Sequence, residues 1–257
     1  MSKSRMLVWF SCGAASAVAA KIAVENYSNE FDVEVCYCDL LADEHPDNLR
    51  FLKDVEQWIG RPIKLLGSEK YQTVADVFRK RKYIVGPSGA ICTHEMKRRV
   101  RVKYQHPDDV HVMGFTSDEA NRAERFEKNN KDLDCEWVLI DRGIDKNDCH
   151  IAIESAGIKR PAMYDLGYHH NNCVGCVKGG MGYWNKIRRD FPDRFDEMAK
   201  VEREVGASIL RSGGKRLFLD ELQPDRGSHD DLNIDCGMFC EPRRQELDVT
   251  INATSCD

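Results

Sequence analysis

Short apolar runs alternate with helix-like stretches along the first 140 residues of the chain. The apolar runs occupy residues 6–11, 33–38, 62–66, 110–115 and 137–140. Runs of four to eight apolar residues, bounded by polar or turn-forming residues, are typical of strands buried on both faces. The pattern therefore predicts five strands.

The stretches between these runs have helical character. Residues 14–25 are rich in alanine, and residues 48–59 place apolar side chains at helical spacing after a Pro46-Asp47 start signal. Alternating strands and helices imply parallel strands joined by right-handed crossovers. We therefore expect an α/β fold with a doubly wound, mostly parallel five-stranded sheet, which binds its ligand beyond the carboxyl ends of the strands.

The pattern changes after about residue 165. A cysteine- and glycine-containing segment, CVGCVKGGMGYW, precedes a predicted helix at 195–210 and a polar tail at 212–257. We predict a nucleotide-binding α/β domain over residues 1–165. Residues 166–257 are predicted to form a cysteine-rich helical segment and an irregular tail packed on that domain.

Composition places the chain among globular proteins, with 42% hydrophobic and 32% charged residues. Its formal net charge of -5 gives no overall reason to expect a nucleic acid or an anionic membrane as partner. The apolar runs are much shorter than the roughly 20 residues that span a bilayer, and the N-terminus lacks the features of a secretory signal. We expect a cytoplasmic protein without a membrane segment.

A small-residue loop follows the first predicted strand and leads directly into a helix. It contains Ser11, Gly13 and Ser16. Such a turn directs backbone N–H groups and the positive end of a helix toward an anion. An ordinary tight turn is the alternative, but the position after the first strand of an alternating α/β pattern favours phosphate binding.

This loop, SCGAAS at residues 11–16, resembles the PP-loop, whose pyrophosphatase form reads SGGxDS. The segments CDLLADEHPDNLRF, CTHEMKRR and MGFTSDEANRAERF extend the resemblance, which is to the phosphoadenosine phosphosulfate reductase family of the PP-loop (adenine nucleotide alpha-hydrolase-like) superfamily. It implies that an adenine nucleotide, ATP or a sulfated adenylate, is bound at the loop. The binding residues would be Ser11, Cys12, Gly13, Ala14, Ala15 and Ser16. Ala15 replaces the pyrophosphatase aspartate, which favours the reductase-like form.

Eleven cysteines in a chain without an export signal favour metal or redox chemistry over a disulfide framework. Cys173 and Cys176 form a CxxC, Cys92 lies 81 residues before Cys173, and Cys236 and Cys240 form a CxxxC. Thiolates suit an iron–sulfur cluster or zinc. We rank a cluster first, structural zinc second and no metal third.

The resemblance supports the cluster. Adenylylsulfate reductases place a cysteine pair and a distant CxxC around a 4Fe–4S cluster, and here Ile91-Cys92 stands where the pair would be. The implied ligands are Cys92, Cys173 and Cys176, with Cys240 or Cys236 as the fourth, unless one iron stays open.

A second role for Cys236 follows from the same comparison. DCGMFC resembles the ECGxH segment of sulfonucleotide reductases, whose cysteine attacks the sulfur of the substrate, although Phe239 stands at the histidine position. Cys236 is thus a candidate nucleophile as well as a candidate ligand, and both interpretations stay open. A thiolate nucleophile needs nearby positive charge, which Arg243 and Arg244 could supply.

Two groups of basic residues are further candidates. Lys97 begins a basic run that ends at Lys103; this is either a solvated helix face or a contact with nucleotide phosphates or a nucleic-acid backbone. Glu119, Arg122 and Arg125 follow the fourth predicted strand and could face the ligand, where an arginine would clamp an oxyanion; a surface helix is the alternative.

Three functions are compatible with these features. The first is a reductase-like enzyme that binds a sulfated adenine nucleotide, attacks sulfur with Cys236 and is regenerated by a thiol reductant protein. The second is an ATP-dependent sulfurtransferase that thiolates a nucleic acid, using an iron–sulfur cluster. The third is a non-catalytic nucleotide-binding module in which a structural metal holds the tail.

Overall fold

The structure is a computed structural model that describes residues 3–87, 89–228 and 234. The chain divides into two compact units. The first, here called the sheet unit, consists of residues 1–67 and 100–171; the second, the cysteine unit, consists of residues 68–99 and 172–257. These units are defined by compactness, and the boundary after residue 165 stays a prediction about domains.

Strands and helices alternate through most of the described chain. The strands are β1 Ser4–Phe10, β2 Phe31–Cys38, β3 Ile63–Leu66, β4 Val85–Gly86, β5 Gly89–Ala90, β6 Val110–Met113, β7 Asp134–Glu136, β8 Leu210–Ser212 and β9 Lys215–Leu217. The α-helices are α1 Ala14–Tyr27, α2 Asn48–Ile59, α3 Val74–Arg81, α4 Arg99–Tyr104, α5 Ala120–Asn129, α6 Lys146–Ser155, α7 Ala162–Asp165, α8 Met181–Asp190 and α9 Pro192–Val205. A π-helix, Thr93–Arg98, runs into α4, and short 3-10 helices cover Ser117–Glu119 and Leu219–Glu221.

The sheet unit is built on five parallel strands in the order β3-β2-β1-β6-β7. Met6 on the central strand lies opposite Val33 of β2 and Val110 of β6. The predicted α/β class and five-stranded sheet are confirmed, and every strand pair within this sheet is parallel. Chain order reverses direction between β1 and β6, so the loops after these two strands flank the switch point of the sheet.

The two faces of the sheet differ in chemistry. One face packs Met6, Val8 and Phe10 of β1 against α1, α2 and α6 in the main hydrophobic core. Alanines of α1 let this helix approach the sheet closely. On the opposite face, Glu34 of β2 hydrogen bonds with Tyr104 of α4. Helices on both faces make the fold doubly wound.

The fifth strand lies just before the predicted one. It is β7, whereas Trp137–Ile140, predicted as the strand, forms a hydrogen-bonded turn in which Asp141 N bonds to Trp137 O at 2.9 Å. Val138 and Leu139 in this turn are fully buried. The apolar run is therefore explained by burial in the core and not by strand pairing. For this reason the predicted strand lies just after the observed strand β7.

The cysteine unit is mainly helical in its described part. Helix α9 begins at Pro192, earlier than the predicted residue 195, and ends at Val205. The C-cap residue Gly206, with a φ of +73°, terminates the helix. The predicted extension to residue 210 is wrong because Leu210 starts the β8–β9 hairpin. The buried Glu202 carboxylate anchors this hairpin region by accepting hydrogen bonds from the backbone of Ile209 and Leu219.

Within the described residues, no helix combines the length and apolar character needed to cross a membrane.

Candidate functional site

The loop between β1 and α1 is held by its own serines. Ser16 accepts hydrogen bonds from the Ser11 backbone N–H at 3.1 Å and the Ser11 hydroxyl at 3.2 Å, and its hydroxyl donates to Gly13 O at 2.9 Å. Ser16 is buried whereas Ser11 is exposed. The Ser16 hydroxyl thus shapes the loop from inside, and Ser11 lies at its surface.

Cys12 adopts a left-handed backbone conformation. Its φ of +56° is unusual for a residue with a side chain, and the side chain is fully buried in the core. Such a conformation costs about 1–2 kcal/mol for a non-glycine residue and persists only when its surroundings enforce it. The turn at Cys12 is therefore imposed by contacts around it.

A buried polar network lies against the backbone of Cys12. The Asn171 side-chain amide donates to Cys12 O at 2.6 Å and to Asn48 Oδ1 at 2.8 Å. The Asn48 amide in turn donates to Glu44 Oε2 at 2.5 Å, which also accepts from the Tyr37 hydroxyl at 2.7 Å. This network joins the loop to β2, to the segment after β2 and to the end of the sheet unit.

Tyr164 provides a second contact with the loop. The backbone groups of Ala14 and Asn171 favour the ionised form of its hydroxyl, but burial outweighs them and raises the pKa of this phenol to about 12. A Cβ built on Gly13 would lie 3.5 Å from the hydroxyl oxygen. A neutral hydroxyl thus lies beside Gly13, the N-cap residue of α1. Tyr164 and Asn171 together hold the start of the helix.

The loop after β6 lies against the loop after β1. A Cβ atom built on Gly114 would lie 2.7 Å from both Cα and N of Ser16. Such a distance leaves no room for any side chain. The sheet therefore brings the predicted phosphate-binding loop into backbone contact with the segment after β6. This segment leads to Arg122, the predicted anion clamp.

Arg122 is oriented by its own helix and by the loop before it. Its guanidinium pairs with Glu119 and lies 4.3 Å from the centroid of the Phe115 ring. Glu119 is itself held by the Thr116 backbone N–H at 3.3 Å and by the Thr116 hydroxyl at 3.2 Å. These contacts hold an arginine in a defined orientation in the segment that follows β6, where an anion can be bound.

Comparison with known proteins adds no assignment. No family model matches the chain, and no curated protein matches it.

The predicted site residues fall into both units. The loop residues 11–16 and Arg122 belong to the sheet unit, and the loop includes the first residues of α1, buried Ala14 and half-buried Ala15. Lys97, Cys92, Cys173 and Cys176 belong to the cysteine unit. Cys92 precedes the π-helix that contains Lys97, and both residues are half-buried. π-Helical turns occur frequently at functional sites.

The CxxC segment forms an ordered turn. The Tyr183 hydroxyl accepts a hydrogen bond from Cys176 N at 2.9 Å and donates to Cys173 O at 3.3 Å. Gly175 has a φ of +73°, and a Cβ there would lie 3.1 Å from the Trp184 ring. Arg194 Nε donates to Val174 O at 3.0 Å. The backbone between the two cysteines is thus held on several sides.

The predicted metal ligands do not all lie within the described residues. Among residues 3–87, 89–228 and 234, no group of three or more His, Cys, Asp and Glu side chains could hold a metal ion. Cys236, the predicted nucleophile, and Cys240, the predicted fourth ligand, lie outside the described residues. The described cysteines alone do not make a cluster site, and the cluster stays a prediction.

Replacing Cys12 tests the left-handed turn. We expect Cys12→Gly to be more stable than Cys12→Ala by about 1 kcal/mol, because only glycine adopts positive φ without steric cost. Urea unfolding of the two variants measures this difference. Ala152→Gly within α6 is the matched control and should show the opposite sign, since glycine destabilises a helix interior. A Cys12→Ala variant as stable as Cys12→Gly would contradict the assigned turn.

Sequence reasoning missed Asn48, Asn171, Tyr164 and Gly114. Asn171 contacts residues 159 and 123 positions away along the chain, so no local pattern connects them. Gly114 offered one signal, since a glycine directly after a buried strand can mark a close backbone approach.

Proposed function

We propose that the chain is a phosphoadenosine phosphosulfate reductase-like enzyme that binds an adenine nucleotide at the loop after β1 and carries out sulfur chemistry with its cysteines. The observation that carries this proposal is the contact of Gly114 with Ser16, which joins the loops after β1 and β6 at the switch point of the sheet. In open α/β sheets, ligands bind in this crevice.

The chemistry of the crevice suits an anion. Helix α1 begins inside the loop, and the first N–H groups of a helix lack intrahelical partners and carry partial positive charge. Arg122 adds a guanidinium, whose five N–H donors can serve Glu119 and an oxyanion together. The phosphate groups of a nucleotide would lie at the helix start, with Arg122 as the clamp.

The sulfur step is assigned to Cys236 through the resemblance. Its thiolate would attack the sulfur of a sulfated adenylate, forming an S–S bond while the S–O bond to the nucleotide breaks. The leaving group is the adenosine nucleotide, which departs with its phosphate oxygen. A thiol reductant protein then attacks the cysteine S-sulfonate, releases sulfite and returns the cysteine to a thiol. The proposed cofactor is a 4Fe–4S cluster on Cys92, Cys173, Cys176 and Cys240, and no step is assigned to it.

An alternative function is an ATP-dependent sulfurtransferase that acts on a nucleic acid. The observation in its favour is a group of basic side chains from α3 and α4 that converge on Glu95, in the same unit as Cys92. A third candidate, a non-catalytic nucleotide-binding module with a structural metal, predicts nucleotide binding without turnover.

Calorimetric titration with ATP and with sulfated adenylates tests the nucleotide site. Arg122→Ala is expected to weaken binding at least tenfold, because a charge-assisted contact to an oxyanion is worth roughly 1.5–3 kcal/mol. Arg125→Ala is the matched control, since this exposed arginine lies one turn further along α5 and bonds to Asn121 O. Equal affinities of the two variants would contradict the proposed clamp.

The same preparations decide between the candidate functions. Anaerobic purification with iron, sulfide and zinc analysis should give iron and sulfide that are lost in a Cys173→Ser, Cys176→Ser double variant. Sulfite release from a sulfated adenylate supports the reductase, whereas sulfur transfer that requires ATP supports the alternative. Zinc together with nucleotide binding and no turnover would leave the non-catalytic module.

A further inference from the structure

Positive charge is concentrated in one short stretch of this acidic chain. Residues 68–99 contain eight Lys and Arg but only three Asp and Glu, whereas the whole chain has a formal net charge of -5. The entire stretch belongs to the cysteine unit. Such a local excess, set against an acidic background, is a feature of polyanion-binding surfaces.

A buried glutamate organises this charge. Glu95, in the π-helix, is 2% exposed and contacts the side chains of Arg81 at 3.6 Å and Arg99 at 3.2 Å. His94 Nδ1 lies 3.3 Å from the same carboxylate. Arg81 ends α3 and Arg99 starts α4, so one carboxylate brings together basic residues that lie 18 positions apart.

Glu95 remains ionised in this position. Burial alone would raise its pKa, but hydrogen bonding with His94 and the charges of Arg99 and Arg81 outweigh that effect and lower the pKa below its ordinary value. One negative charge facing two guanidiniums leaves an excess of positive charge. The pairing therefore orders the arginines without cancelling their combined charge.

The residues next to Arg81 and Arg99 in the chain add further cations to this group. We define the basic surface as Arg79, Lys80, Arg81, Lys82, Lys97, Arg98 and Arg99. Lys97 and Arg98 are half-buried and the other five are exposed. Arg79 pairs with Glu204 of α9 at 2.7 Å, which reduces the charge at that edge. The seven cations of the basic surface stand against three acidic residues within residues 68–99.

Aromatic side chains lie within the same stretch. The Lys80 ammonium is 5.3 Å from the centroid of the Tyr71 ring, and Tyr83 directly follows Lys82. Both tyrosines are half-buried, so each exposes part of its side chain. Cations that follow a phosphate backbone, combined with aromatic rings for unpaired bases, characterise single-strand binding surfaces. An acidic peptide or a lipid headgroup would use the cations and leave the rings without a role.

We propose that the basic surface binds the phosphodiester backbone of a single-stranded nucleic acid. This goes beyond nucleotide binding at the loop after β1 and does not depend on it, since the two sets of residues lie in different units. If the protein is the alternative sulfurtransferase, the basic surface would bind its nucleic-acid substrate.

Fluorescence anisotropy with labelled 20-nucleotide single-stranded RNA and DNA tests the proposal, using the full chain across a salt series. The test variant is Lys80→Gln, Lys82→Gln, Arg98→Gln. It should bind at least tenfold more weakly at low salt, and the slope of log affinity against log salt should fall by about 2, since each lost phosphate contact contributes about 0.7 on single strands. The matched control, Lys53→Gln, Lys131→Gln, Lys159→Gln, removes the same charge from exposed positions of the sheet unit.

Several outcomes would overturn the proposal. These are equal weakening of test and control variants, a salt slope unchanged in the test variant, or wild-type binding to anionic phosphatidylserine vesicles but to neither oligonucleotide. Thermal unfolding checks that both triple variants are folded. Retained ATP or sulfated-adenylate binding in the test variant separates this surface from the nucleotide site, and Arg122→Ala should still bind oligonucleotide.

Discussion

Replacing Gly114 with alanine is expected to destabilise the protein by about 2–3 kcal/mol and to weaken adenine-nucleotide binding at least tenfold. The added Cβ would lie 2.7 Å from the Cα and N atoms of Ser16 and 3.0 Å from the carbonyl carbon of Ala15. These are backbone atoms in the first turn of α1, so no side-chain rotation relieves the clash. The loop after β1 must move, and its N–H groups move with it. Urea unfolding and calorimetric nucleotide titration measure the two effects.

Gly67→Ala is the matched control for this prediction. Gly67 also lies in the sheet unit, after β3, and a Cβ there meets nothing within 4 Å. We expect its stability to change by less than about 0.5 kcal/mol, as for a surface substitution without a specific conflict. If Gly114→Ala were as stable as Gly67→Ala, the close contact between the two loops would be disproved. Normal stability with lost binding would instead place Gly114 at the ligand.

Asn171→Ala is expected to cost about 3 kcal/mol of stability, corresponding to a decrease of about 6–12 °C in Tm. The substitution removes the donor to Cys12 O and to Asn48 Oδ1, both buried among the loop, α2 and the end of the sheet unit. A buried acceptor left without a donor costs about 1–3 kcal/mol. Because Cys12 is held in a strained conformation, we also expect weaker nucleotide binding.

The neighbouring residue supplies the control. Within the part of the chain that the structure describes, the Asn172 side chain makes one long hydrogen bond, of 3.4 Å to Ile234 O, so Asn172→Ala should cost less than about 1 kcal/mol. Asn48→Ala should resemble Asn171→Ala, and the double variant should cost less than the sum of the two, because the residues share one network. Additive costs would show that Asn48 and Asn171 act independently.

Together these predictions separate two properties of the loop. Ser16 and Gly114 determine how closely the loops after β1 and β6 approach, whereas Asn171 and Tyr164 hold the backbone at the start of α1. A loop that is held before a ligand arrives loses less conformational entropy on binding. The contacts described above are therefore expected to contribute to affinity without touching the nucleotide.

The sequence predicted the local elements of the sheet unit well. Residues 48–59 are helical from end to end, as their apolar spacing predicted, and four of the five strands lie where apolar runs occur. These signals are local, because helical and strand periodicity are properties of neighbouring residues. The fifth strand was predicted at the wrong position because Val138 and Leu139 are buried in a turn, and burial alone does not distinguish a turn from a strand.

The sequence by itself determined the α/β class, the position of the small-residue loop after the first strand, and the candidate chemistry of its cysteines and basic residues. Only the tertiary structure decided that Asn171 reaches Cys12, that Gly114 touches Ser16 and that Arg81 and Arg99 share Glu95. The physical reason is sequence separation. The contacts of Arg81 with Glu95, Gly114 with Ser16 and Asn171 with Cys12 join residues 14 to 159 positions apart. Their geometry depends on how strands pair and helices pack rather than on any neighbouring residue.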